Sequence, residues 1–157
     1  MNLEKQLAFT GKEEGLRLTV YKCPSGKDTI GYGHNISDNN FPDSMPELKK
    51  RFTETLLTDF EITNEEASQL FEVDALEAER LLKTIFPDWS FFTENRQIAL
   101  IDMMFNMGYG KFNLFKSMIM AIKSGMWHLA AQEAKESLWY QQVTNRANRI
   151  IKLLQDG

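Results

Sequence analysis

The chain has 157 residues, 43% hydrophobic and 25% charged, with a formal net charge of −4. That balance fits one soluble domain or two small lobes and argues against disorder. The negative charge argues against a nucleic-acid partner, which needs a basic face, and the single cysteine excludes both an internal disulfide and a cysteine-rich zinc site.

In chain order, Leu3, Leu7 and Ala8 lie at helical spacing and predict a helix over 2–13, stopped after Glu14 by Gly15. The acidic start carries no apolar core of a secretory signal, and no window approaches the ~18 apolar residues of a membrane span. Leu16, Leu18 and Val20 alternate with Arg17, Thr19 and Tyr21, which predicts a strand. Pro24-Ser25-Gly26-Lys27 is a turn cluster, and Thr29 to His34 reads as a return strand. Residues 35–63 are irregular apart from a short helix near 46–58. Thr63 or Asn64 then caps a long helix that ends before Pro87, with Glu65 and Glu66 favourable at its positive end. Helices are predicted over 94–106, 112–124, 126–135 and 144–155. The expected class is α+β, mostly α. A single domain over 1–157 would comprise a small lobe over 14–63, a connecting helix over 64–86 and a helical lobe over 87–157, tied to helix 2–13. A cleft between lobes is the expected place for a ligand.

The stretch EGLRLTVYKCPSGKDTIGYGH brings a carboxylate, a thiol and a hydroxyl into one compact region: Glu14, Cys23 and Thr29. Glu14 closes a helix, where the dipole and the neighbouring Glu13 both oppose ionisation, as a general acid requires. Strand alternation sets Thr29, Gly31 and Gly33 on one face and Asp28, Ile30, Tyr32 and His34 on the other. Asp28 is thereby a poor second carboxylate, and Cys23, at the end of the incoming strand, can lie across from Thr29. A Cys23/His34 dyad would need both on one face. Cys23, His34 and the distant His128 make no recognisable metal set. The methionines at 103, 104, 107, 118, 120 and 126 read as adaptable core packing in preference to a groove for partner helices, and Trp127 and Trp139-Tyr140 as core in preference to a sugar platform.

With EGLRLTVYK and TIGYGH, eight residues between Glu14 and Cys23 and five between Cys23 and Thr29, the chain resembles the phage T4-type lysozymes. NEEASQLF, ALIDMMFNMG and SLWYQQVTNRANRII extend the similarity along nearly the whole chain. The resemblance implies a lysozyme-like fold and a muramidase that cleaves the β-1,4 bond between N-acetylmuramic acid and N-acetylglucosamine in bacterial peptidoglycan, causing lysis. It implies Glu14 as proton donor, Thr29 as the residue placing the attacking water, and Cys23 as a permitted variant of the intervening acid. Gly33, His34, Asn35, Phe105 and Asn106 fall on sugar-contacting positions, although Asn35 replaces an apolar residue. Glu133 and Leu138 also depart from related cleft residues. Arg146 matches an arginine near the catalytic glutamate, and Asp74 a partner for His34. No cofactor or metal is implied. The expected setting is a monomer made in the host cytoplasm that acts at the cell wall or periplasm, without membrane insertion, after a holin opens the way. A lytic transglycosylase and an inactive peptidoglycan-binding module are the alternatives. An ordinary thiol, with a pKa of about 8.5, would be only a few per cent ionised at pH 7.

Overall fold

The computed structural model describes all residues, Met1–Gly157. The architecture is α+β and mostly helical, with one antiparallel sheet of three strands in the order β1-β2-β3. Two compact units divide the chain, Leu7–Asp74 in one and Met1–Gln6 with Ala75–Gly157 in the other.

The N-terminal helix runs in three pieces: α1 (Leu3–Gln6), a π-helical turn (Leu7–Gly11) and α2 (Lys12–Glu14). Gly15 ends it at φ 72, a left-handed conformation that glycine adopts without a Cβ penalty. The chain then enters β1 (Arg17–Lys22), β2 (Asp28–Gly31) and β3 (His34–Asn35). The return strand expected over 29–34 is therefore two strands. Gly31 turns the backbone at φ 65, a left-handed conformation that favours glycine, and Ile62 and Ala67 pack against this turn. Tyr32 and Gly33 form the reversal. Beneath the sheet lies a core that includes Ile30, Ile36, Phe41, Phe60, Ile62 and Leu70.

Helix α3 spans Pro46–Glu54, shorter than expected, with proline in its first turn where the missing N–H costs nothing. Helix α4 spans Asn64–Ile85 and supplies residues to both units. Thr63 caps it reciprocally: Glu66 N–H donates to Thr63 Oγ1 at 3.1 Å, and Thr63 N–H donates to a Glu66 carboxylate oxygen at 2.8 Å.

The second unit is helical: α5 (Glu94–Phe112), α6 (Lys116–Lys123), α7 (Trp127–Lys135), α8 (Leu138–Gln142) and α9 (Thr144–Asp156). Helix α5 outruns its expected end at 106 but is broken at Gly108, φ 78. The helix predicted over 112–124 starts only at Lys116. Helix α8 was not anticipated, because its five residues are too few to show a periodic stripe; Ser137 caps it by accepting from Tyr140 N–H at 3.2 Å. Met103, Met118, Ala130, Ala147, Ile150 and Leu154 are all buried, whereas Met120 and Met126 are exposed and take no part in the expected methionine packing.

Candidate active site

The hairpin is pinned on one side by chemistry and on the other by register. Lys22 stands opposite Asp28, and the two form an ion pair at 2.8 Å. Asp28 is thus committed to the side chain across from it. The adjoining opposed pair, Tyr21 with Thr29, projects from the other face, and Thr29 is in turn opposed by Asn35 on β3. One row therefore crosses all three strands: Tyr21, Thr29, Asn35. Cys23 follows immediately after β1, where its N–H donates to the Lys27 carbonyl at 3.0 Å and its carbonyl accepts from Gly26 N–H at 2.7 Å. Thr29 is buried, and its hydroxyl donates to the same Lys27 carbonyl at 3.0 Å. Glu14 is half-buried at the end of α2, with Gly15 and Leu16 between it and β1.

The thiol departs from ordinary behaviour. Cys23 Sγ lies 3.0 Å from the Ser25 hydroxyl. That hydrogen bond, more than any other influence, lowers the Cys23 pKa from 9.0 to about 7; partial burial opposes it, while the Lys27 and Ser25 backbones and the Thr29 hydroxyl assist. Cys23 is then roughly half thiolate at pH 7, not the few per cent expected of an ordinary thiol. Thr29 has a single hydroxyl proton, so the Lys27 carbonyl and an ionised Cys23 compete for it.

His34 lies on the opposite side of β2, opposed to Ile30 and buried. Its Nδ1 is 2.8 Å from Asp74 Oδ2 and its Nε2 is 2.8 Å from the Asn40 carbonyl. Both neighbours only accept, so both ring nitrogens donate and the imidazole is cationic. With both nitrogens occupied, no Cys23/His34 dyad forms. Burial alone would push the His34 pKa down, but the Asp74 hydrogen bond, its charge and the Asn40 carbonyl together raise it above 6.5. A raised histidine pKa contributes stability that is complete below the unfolded value and is lost as pH rises through the folded one. Asp74→Asn should therefore cost about 2–4 kcal/mol at pH 5.5, since it strands a buried cation. Thermal denaturation across pH should show the deficit shrinking as pH rises past the raised value; a deficit independent of pH would refute the charge pairing.

Of the remaining candidates, Gly33 forms the β2–β3 reversal at φ 92. The Asn35 side chain accepts from Ser37 N–H at 3.0 Å. Phe105, Asn106 and Arg146 belong to the other unit. Asn106 Oδ1 accepts from Trp139 Nε1 at 2.8 Å, and Asn106 lines a pocket of about 670 Å³ together with Lys111, Glu133, Leu138 and Trp139. Arg146 is buried and grips Asp102 with two hydrogen bonds of 2.8 and 3.0 Å.

The Phage lysozyme family model matches residues 11–152. The chain belongs to the phage lysozyme family. Its relatives include the pre-baseplate central spike protein Gp5 of Enterobacteria phage T4, 36% identical over 93% of this chain and 27% of that protein. The chain thus spans about a quarter of the spike protein's length. "Probable T4-type lysozyme 1" of Dictyostelium discoideum is 32% identical, covering 92% of this chain and 90% of that one. An endolysin of Acyrthosiphon pisum secondary endosymbiont phage 1 is 30% identical over 69% of this chain and 61% of its own length.

Two contributors escaped sequence reasoning. Ser25 reads as a turn residue, and nothing in the sequence says that its hydroxyl folds back on Cys23. Asp102 does carry a signal, as a lone acid in the apolar run ALIDMMF, because a carboxylate at such a position requires a partner. Asp102→Ala should destabilise the protein by about 3–5 kcal/mol by removing the carboxylate that holds the buried Arg146 guanidinium with two hydrogen bonds. Urea denaturation checks this, and a change under 1 kcal/mol would contradict it. Asp102→Leu combined with Arg146→Met should recover most of the loss.

Proposed function

We propose that this lysozyme is a muramidase hydrolysing the β-1,4 bond between N-acetylmuramic acid and N-acetylglucosamine, with Glu14 as general acid and Cys23 with Thr29 serving the attacking water. The observation that carries the reading is a thiol with a pKa of about 7 beside the Thr29 hydroxyl, on a hairpin that follows directly from the helix ended by Glu14. Protonated Glu14 gives its proton to the glycosidic oxygen as the bond to the anomeric carbon breaks. The Cys23 thiolate takes a proton from water, whose oxygen bonds to that carbon. The cycle leaves a Glu14 carboxylate and a Cys23 thiol, which exchange protons with solvent. A base acting through water inverts the anomeric centre.

Family membership and the names of the relatives support a glycosidase acting on peptidoglycan, and lysis of the cell follows from loss of wall continuity. No helix is long and apolar enough to cross a membrane. Synthesis in the host cytoplasm, holin-dependent passage to the wall and action as a monomer complete the proposal. Mass spectrometry of digested peptidoglycan tests the reaction class. Reducing muropeptides are expected; 1,6-anhydro products would indicate a lytic transglycosylase, and no cleavage a binding module. NMR of fresh product should show the α anomer. An initial β anomer would indicate direct attack by Cys23 on sugar.

A further inference from the structure

Thr29 and Asn35, two of the candidate residues, belong to the row across the sheet whose third member, Tyr21, has no role in the reading above. Tyr21 stands directly opposite Thr29, and Cys23, two residues further along the same chain, is the diagonal neighbour of Thr29 on that side. Opposed side chains on an antiparallel pair are close enough to set one another's positions, and diagonal ones are within reach of an aromatic ring. Residue 21 is therefore the cross-strand neighbour of Thr29.

The ring is itself held. The Arg17 guanidinium lies over its face, 4.6 Å from the centroid. In a regular strand, residues four apart are separated by about 13 Å along the backbone. The β1–β2 register shifts between Arg17 and Tyr21, and this irregularity accompanies the clamp. Bulges of this kind re-aim side chains beside functional sites. The surroundings link Tyr21 to the other two candidates as well. Burial raises its phenol pKa, the negative charge of Glu14 adds to the rise, Arg17 opposes it, and Cys23 adds a smaller push. Glu14, Tyr21 and Cys23 thus share one electrostatic neighbourhood.

We infer that Tyr21 is a positioning residue of the site: its ring, clamped by Arg17, holds Thr29 and the Cys23 loop in place relative to Glu14. The role deepens the muramidase reading and rests on it. It requires the aromatic ring rather than the hydroxyl. A buried Leu would fill part of the space without offering Arg17 a face, leaving Thr29 and the loop free to shift, and an ångström of displacement in a catalytic constellation can cost up to about a hundredfold.

The test compares Tyr21→Leu, Tyr21→Phe and Arg17→Met with the unaltered protein. Steady-state kinetics on solubilised peptidoglycan are measured alongside the pH dependence of Cys23 alkylation by iodoacetamide. Tyr21→Leu should lower kcat at least about tenfold with KM changed less than about threefold, and should raise the alkylation midpoint above its value near 7 as Thr29 loses its hold on the thiol. Tyr21→Phe, which restores the ring, should recover kcat to within about twofold and return the midpoint. Arg17→Met leaves the ring but removes the exposed clamp, so it should lower kcat about threefold without affecting folding; it carries the test if Tyr21→Leu does not fold. Unaltered kcat and midpoint in Tyr21→Leu, or in Arg17→Met where that variant stands in, would overturn the inference. So would a Tyr21→Phe variant as impaired as Tyr21→Leu, which would move the role to the hydroxyl. The alkylation midpoint is read without turnover. Absence of muropeptide release by the unaltered protein would refute the muramidase reading, while the midpoints would still decide whether Tyr21 organises the loop.

Discussion

Glu14→Gln should lower the release of reducing muropeptides by about a thousandfold, the middle of the range that a positioned general acid supplies. The amide keeps the size and hydrogen-bonding reach of the side chain and removes only the transferable proton. Glu14 closes α2, and Gly15 at φ 72 turns the chain at once into β1. Gly15 N–H donates back to the Gly11 carbonyl at 2.9 Å, which fixes the helix end. The variant should therefore fold, and its melting temperature should stay near that of the unaltered protein. Kinetics on purified peptidoglycan, with a melting curve on the same sample, check both halves. Residual activity above about one per cent would remove Glu14 from the acid role.

Cys23→Ala should be about a hundred to a thousandfold slower, because it deletes the group proposed to accept the proton from water. Alkylation with iodoacetamide should have the same effect, whereas Cys23→Asp should retain function. The pH dependence distinguishes the thiol from a carboxylate. In the proposed mechanism the working form is the thiolate, so kcat/KM of the unaltered protein should rise as pH increases through about 7. Cys23→Asp carries an aspartate with an ordinary pKa of about 3.9 and should show no rise there. Ser25→Ala removes the largest influence lowering the thiol pKa and should move the rising limb to higher pH. A fully active alkylated protein, or a flat profile around neutrality, would show that Cys23 takes no part.

Much of the candidate site was legible because it is local in sequence. A helix end marked by glycine, a turn built from Pro24, Ser25 and Gly26, and a period of two through β1 are read from consecutive residues. The alternation that turned Asp28 away from Thr29 depends only on which of two faces a strand residue takes, and the Lys22–Asp28 ion pair lies on the face so assigned. The same rule failed beyond Gly31. It presumed an unbroken strand to His34, whereas the chain reverses at Tyr32 and Gly33. Glycines at alternate positions fit a bare strand face and a tight reversal equally well, and only the folded backbone, with Gly31 at φ 65 and Gly33 at φ 92, decides between them.

The sequence by itself determined the helix-and-hairpin order, the family, and the carboxylate, thiol and hydroxyl offered for the proposed chemistry, since each is expressed in residue type and short spacing. Tertiary structure decided what those groups are able to do. The fold of the turn brings Ser25 onto Cys23 and makes an ordinary thiol half-ionised at neutral pH. The register places Tyr21 opposite Thr29. Partners 40 and 44 residues apart make the His34–Asp74 and Asp102–Arg146 pairs. Charge state and orientation depend on neighbours in space, and those neighbours are chosen by packing, which acts across any length of chain.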